Sequence, residues 1–295
     1  MTTMTSEDAN ATPVEGYAFS TVYYRCITPL HVGCGQDVGV VDLPVIRERT
    51  TGYPIIPGSG IRGTIRDVCE RKAPAMAPRL FGTEINESAE KVDRAGCVIV
   101  NDARILLFPV RSHPGVFHWI TCPFVLTRYA ADAEYFGRSA SPFGVLPDPG
   151  EDAYAGKTAH TPLVLEELPF DRASEWEFPL SIDGVDSAKV VMVSDDVFHY
   201  FVRHATVVTQ HNHLSAAKTV MEGQLFSVEA VPPEAVFYGF LGATDERVEE
   251  NGLSMTEVGA ELRKALIRNE ARQNTAVILG GHEGTGLGLT RVIWA

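Results

Sequence analysis

The chain has 295 residues, 45% of them hydrophobic, enough for one large domain or two small ones around a sizeable core. Its 25 basic and 38 acidic residues give a formal charge of −13, which argues against a uniformly basic nucleic-acid binder, although the charge lining a groove decides binding. No apolar run is long enough to span a bilayer, and Cys26, Cys34, Cys69, Cys97 and Cys122 form no CxxC pair, so they read as free thiols of a reducing cytoplasm.

Residues 1–16 are polar and acidic, lack the basic flank and apolar core of a secretory signal, and are expected to form a disordered leader. Tyr17–Ile27 alternates aromatic and β-branched residues and predicts a strand. A glycine- and arginine-rich stretch follows, and Tyr53–Ile56 reads as a short strand. Ser59 is placed to cap a helix running to about Lys72, with Ile61, Ile65, Val68 and Cys69 on one face and Arg62 and Arg66 on the other. Gly96–Pro109 and Gly115–Leu126 read as strands joined at RSHPG. Residues 129–160, rich in Gly, Pro, Ala and Ser and weakly periodic, are expected to form an insertion lobe.

Pro162–Ile182 alternates loosely, as strands do. Ser194 caps a second helix, with Asp195 and Asp196 favouring its N-terminus and Val197, Phe198, Phe201, Val202 and Ala205 on its apolar face. Residues 207–229 read as a hairpin around a polar turn, and Val236–Ala243 as a core strand. Ser254 with Glu257 makes a capping box for a third helix to about Arg268. Strands over Ala276–Leu279 and Leu287–Ile293 flank the loop GGHEGTG. This order predicts an α+β, ferredoxin-like core with long insertions, in one domain spanning residues 17–295.

The stretch Thr28–Arg66 reads TPLHVGCGQDVGVVDLPVIRERTTGYPIIPGSGIRGTIR. Glycines let a backbone approach a bulky polyanion, and arginines hold phosphates bidentately. Arg47, Arg49, Arg62 and Arg66 are the phosphate-holding candidates, each with Glu48, Asp67 or Glu70 as an alternative partner. Gly58 and Ser59 stand where a helix N-terminus attracts an anion, without the spacing of a Walker A loop. By spacing alone, Asp42 is a loop carboxylate satisfying backbone N–H groups or pairing with Arg47. His211 and His213 share a strand face without a third metal ligand in view, so they read as surface histidines. Asp102 and Arg104 are expected in packing or subunit contacts.

This stretch resembles the N-terminal signature of RAMP proteins, the RNA-binding subunits of type III CRISPR effector complexes. The run from Val41 to Arg66, then RLFG and NDARILLFPVRS, is most similar to the repeated backbone subunit of the type III-B (Cmr) complex. The resemblance implies an RRM-like (RAMP) core that polymerises along a CRISPR RNA with other Cmr subunits and cuts complementary single-stranded target RNA at regular intervals. Target choice would rest on base pairing. It implies a divalent metal ion, Mg2+ or Mn2+, with Asp42 as metal ligand and catalytic residue, either holding the cation or deprotonating a ribose 2′-hydroxyl.

His31, in TPLHxGxG, and Glu229 are further catalytic candidates by the same resemblance, and Asp37 is another acid of the loop. Gly281, Gly284, Gly286 and Gly288 match a loop lying against guide RNA, with Leu287 where a basic residue is common and Arg291 as a substitute. The 207–229 hairpin matches the thumb that separates guide from target strand. Two alternatives stand beside this reading: a non-catalytic subunit assembling on the guide, and a guide-processing ribonuclease, for which no His-Tyr-Lys constellation is evident.

Overall fold

The structure is a computed structural model describing residues 15–36, 39–83, 95–113, 115–136, 142–215, 217–248, 251–267 and 274–295, without the side chains of 213, 214 and 222–224. In chain order its elements are β1 (Ala18–Cys26), β2 (Ile55–Ile56), α1 (Gly58–Lys72), α2 (Ala77–Phe81), β3 (Val98–Val100), β4 (Ala103–His113), β5 (Val116–Thr121) and α3 (Pro123–Tyr135). Then come β6 (Ala153–Ala155), β7 (Leu163–Leu165), β8 (Leu168–Ser174), β9 (Val190–Met192), α4 (Asp195–His204), β10 (Val207–Leu214) and β11 (Val220–Ala230). The chain continues through β12 (Val236–Ala243), α5 (Met255–Leu266), β13 (Asn274–Ile278) and β14 (Leu289–Trp294).

β4 organises the whole. Its first half pairs antiparallel with β12 (Ile105↔Phe237, Leu107↔Val236), completing an open sheet in the order β13-β14-β1-β12-β4. Its second half pairs with β5 on one side and β7 on the other, so that β4, β5, β9, β6, β8 and β7 close a small barrel. The fold is therefore mixed α/β with a barrel fused to an open sheet. β4 and β12 are covered on both faces, which is why they read as unbroken apolar runs rather than alternating ones. Buried residues of the open sheet, the barrel and the helices belong to one hydrophobic cluster. No helix of the described residues is long and apolar enough to cross a membrane.

Several predicted elements appear within a residue or two, among them β1, β12, and α5 with its Ser254–Glu257 capping box. Three expectations need correction. Helix α1 begins at Gly58 behind Pro57, and Ser59 lies inside its first turn rather than capping it. The strand expected to reach Leu126 ends at Thr121, because Pro123 lacks an N–H for a ladder and suits the first turn of a helix. That helix, α3, fills the start of the presumed insertion lobe by burying Val125, Leu126, Tyr129 and Ala133, and β6 from the same stretch is a barrel strand. The expected leader lies almost wholly outside the described residues.

Candidate nucleic-acid interface

β10 and β11 form a separate two-stranded hairpin, from Val207↔Ala230 at its base to Leu214↔Val220. The other edge of β11 is covered near the base by two loop segments from the start of the chain. Leu30 exchanges N–H···O bonds with Val231 at 2.9 and 2.8 Å. Leu43 bridges Val228 in parallel, donating to Ser227 O and accepting from Glu229 N–H, both at 3.0 Å. The segments also join each other, through Ile46 N–H to Val32 O at 2.7 Å and Cys34 N–H to Pro44 O at 3.3 Å. The Cys34–Pro44 bond thus places Asp42 two residues before this junction; Asp37 lies outside the described residues.

The bridge at Leu43 sets Asp42 beside Ser227. The Ser227 N–H and hydroxyl both donate to Asp42 Oδ2 at 2.7 Å, and Asp42 N–H donates back to Ser227 Oγ at 2.9 Å. Oδ1 accepts no hydrogen bond among the described residues, and Asp42 is exposed. Bonds donated by the Ser227 backbone, then by its side chain, favour the charged form and lower the Asp42 pKa. The result is a fixed, ionised carboxylate with one oxygen open to solvent. Such a group is a weak proton acceptor near neutral pH but a strong attractor of cations and polar hydrogens.

His31 is buried, with Nδ1 2.6 Å from Glu229 O. A carbonyl oxygen only accepts, so Nδ1 carries the proton. The C-terminal glycine loop closes over this residue, with Gly281 N–H donating to His31 O at 2.8 Å and Gly288 N–H to Pro29 O at 2.9 Å. Two of its glycines serve that closure: at positive φ, a Cβ on Gly280 would lie 2.2 Å from His31 O and one on Gly288 2.1 Å from Leu279 O. Gly284 and Gly286 face open space. Arg291, the suggested basic substitute, instead contacts Asp183 at 3.2 Å.

Other predicted contacts are reassigned. Arg47 turns inward, donating to Glu229 Oε1 at 2.6 Å, Val202 O at 2.9 Å and Gly52 O at 3.1 Å. Glu229 is 6% exposed, and its second oxygen accepts Val45 N–H at 2.9 Å. Both side chains are engaged within the protein, where together they tie the 45–52 loop and the end of α4 to β11. Arg62 donates to Phe81 O at 2.8 Å and lies 5.5 Å from the Phe81 ring, while Arg66 pairs with Glu70 at 2.7 Å. Gly58 N–H donates to Asp102 Oδ1 at 2.7 Å, so a carboxylate already occupies the helix terminus expected to take a phosphate. Ser59 and Arg49 are exposed, and Arg49 has no ion pair among the described residues.

Among the described residues no group of three or more His, Cys, Asp or Glu side chains is placed to hold a metal ion. Asp42 offers one open carboxylate oxygen, so a hard divalent cation, which takes about six oxygen ligands, would need further ligands besides Asp42. Ser227 is the residue of this candidate site that sequence reading misses. Its partner lies 185 positions away, and nothing in the local pattern announces the pairing.

The chain resembles known proteins over almost its whole length. The chain is 28% identical over 286 residues, 90% of its length and 92% of the relative's, to the CRISPR system Cmr endoribonuclease Cmr4 of Pyrococcus furiosus. It is 34% identical over 94 residues to the Cms endoribonuclease Csm3 of Streptococcus thermophilus, covering 27% of this chain and 40% of that one. Among solved structures, a chain of the type III-B Cmr-beta complex bound to cognate target RNA superposes with a TM-score of 0.76 at 22% identity, covering 95% of this chain and 98% of that one. Oligomeric Cmr4 from Pyrococcus furiosus gives 0.68 at 23% identity, with 95% and 99% covered. A sequence profile described as the RAMP superfamily matches residues 23–290, so the loop that carries Asp42, the hairpin that fixes it and the closing glycine loop all fall within one family match, and the chain belongs to the RAMP superfamily.

Proposed function

We propose that this chain is a backbone subunit of a type III-B CRISPR effector complex. It assembles in the cytoplasm with CRISPR RNA, further copies of itself and other Cmr subunits, and cuts complementary single-stranded RNA. The observation that carries the reading is Asp42: an exposed, ionised carboxylate locked at the foot of a hairpin, in a chain aligned almost end to end with an endoribonuclease.

The open sheet with α1 and α5 acts as the ferredoxin-like core of a single RAMP domain, and the β10–β11 hairpin acts as the thumb. Val208, Val220, Met221 and Leu225 are exposed along that hairpin, an apolar surface suited to wedging between stacked bases. Unstacking frees the target backbone from A-form geometry, so that a 2′-oxygen can line up with its neighbouring phosphate. Asp42 Oδ1 is the open acceptor beside that backbone. A divalent cation would supply charge stabilisation at the phosphate, with Asp42 as its protein ligand and RNA and water as the others. The Arg49 side chain and the Gly284 and Gly286 backbone, all open to solvent, meet guide phosphates without reading sequence.

The test assembles the purified chain on a guide RNA and adds labelled complementary RNA with Mg2+. Regularly spaced fragments are expected. Asp42→Asn should bind target as before and cut it about a hundredfold more slowly. Undiminished cutting by that variant would remove Asp42 from the chemistry, and no cutting by the parent would leave a scaffold subunit.

A further inference from the structure

Three imidazoles stand in file across the base of β11. The His31 ring meets His282 edge-on at 5.1 Å, and His282 lies 5.6 Å from His211. His211 in turn stacks parallel to Phe226 at 5.6 Å. The three come from the first loop, the C-terminal glycine loop and the hairpin, so only the tertiary fold gathers them.

Neither His282 nor His211 has a carboxylate partner among the described residues. His211 Nε2 lies 3.0 Å from Thr209 Oγ1, Glu229 turns its carboxylate toward Arg47, and the exposed Glu283 beside His282 forms no ion pair. In a chain of net charge −13, a group of imidazoles free of carboxylates is conspicuous. Charging one of them raises the cost of charging the next unless an anion sits between them. The group is not a metal cluster either.

His282 is also held in the left-handed region, at φ 62°, with its carbonyl accepting from Thr285 and Leu287 N–H at 3.0 and 3.3 Å. A non-glycine residue adopts that conformation at some cost, and here it sets an imidazole beside His211 of the hairpin from a glycine-rich loop.

We propose that His282 and His211 grip an RNA phosphate between them, and that His282 takes up a proton as they do so. The inference rests on the RNA-binding function proposed above. Burial, then the charges of His31 and His211, lower the His282 pKa in the free protein, so the ring is neutral at physiological pH. A phosphodiester within reach reverses that balance, and RNA therefore binds more tightly as pH falls. His31, buried and anchored on Glu229 O, is the fixed end of the file and orients His282.

The test measures anisotropy of a labelled single-stranded RNA on the full-length chain between pH 8 and pH 5.5. The parent's Kd should fall about tenfold across this range, the equivalent of one pKa unit. His282→Asn and His211→Asn should each weaken that response, and the double variant should abolish it. Asn tolerates the left-handed region, so the loop fold is preserved. In parallel, the His282 C2–H resonance should titrate at a higher pH with RNA than without it, a shift that a purely structural role would not produce. Tight RNA binding that ignores pH, or a double variant that keeps the parental response, would overturn the proposal alone. Failure to bind RNA at any pH would overturn the RNA-binding function with it.

Discussion

Ser227 clasps Asp42 with both of its donors on one carboxylate oxygen, which leaves the second oxygen bare. The clasp fixes the direction of that bare oxygen and keeps the group charged well into acid. Ser227→Ala removes the hydroxyl but keeps the backbone bond. Target cutting should drop about threefold to tenfold with unchanged RNA affinity, the scale of one charge-assisted hydrogen bond. Because the lost bond favoured the carboxylate, the acid limb of the pH–rate profile should move to higher pH. Ser227→Thr should restore both. An unmoved acid limb in the alanine variant would show that Ser227 does not set the charge of Asp42.

Arg47 and Glu229 make a contrasting pair, since their contacts are internal. Arg47→Ala leaves the Glu229 carboxylate buried without its cation and should destabilise the fold by about 3 kcal/mol in urea unfolding. Adding Glu229→Gln to that variant should recover part of the loss by removing the stranded charge. A normally stable Arg47→Ala protein with weakened RNA binding would reverse the assignment.

Arg49 offers the opposite case. Its side chain is exposed without an ion pair among the described residues, so Arg49→Ala should leave the unfolding midpoint in place. The same change should weaken RNA binding about threefold to tenfold and reduce the slope of log Kd against log salt by about one phosphate contact. Filter binding at several salt concentrations reads both quantities.

His118 provides a pH test of the barrel. It lies on β5 at 2% exposure, with Nδ1 lacking a hydrogen-bond partner among the described residues. Burial, then the charges of Lys189 and His160, push its pKa down to about 4. Between that value and the unfolded value near 6.5 the unfolded chain binds the extra proton, so stability rises with pH across the window. Acidification from 6.5 toward 4 should therefore cost up to about 3 kcal/mol, a loss that His118→Leu should blunt in urea titrations.

The open-sheet strands and the capped helices were legible because each carries a local signature. β1 alternates, β12 is an apolar block, and Ser254 with Glu257 writes its own cap. The barrel was not legible, because β6, β7 and β9 are only three residues long and acquire meaning from partners elsewhere in the chain. Asp42 and His31 stood out through their motifs. The roles of Arg47 and Glu229 did not, since a charged side chain gives no hint from sequence whether it faces solvent or an opposite charge 182 positions away. α3 went unrecognised for a further reason: its four buried residues start two positions after a proline that also reads as the end of a strand.

β14 lies between β1 and β13, and the glycine loop that precedes it folds back onto Pro29 and His31. During synthesis on the ribosome, the segment bearing His31 and Asp42 emerges early and waits for the hairpin. It then waits again for the later strand and loop that buckle it shut. A chain cut short of β14 therefore lacks the latch over Pro29 and His31, so this corner of the molecule takes its final form only when early and late segments meet.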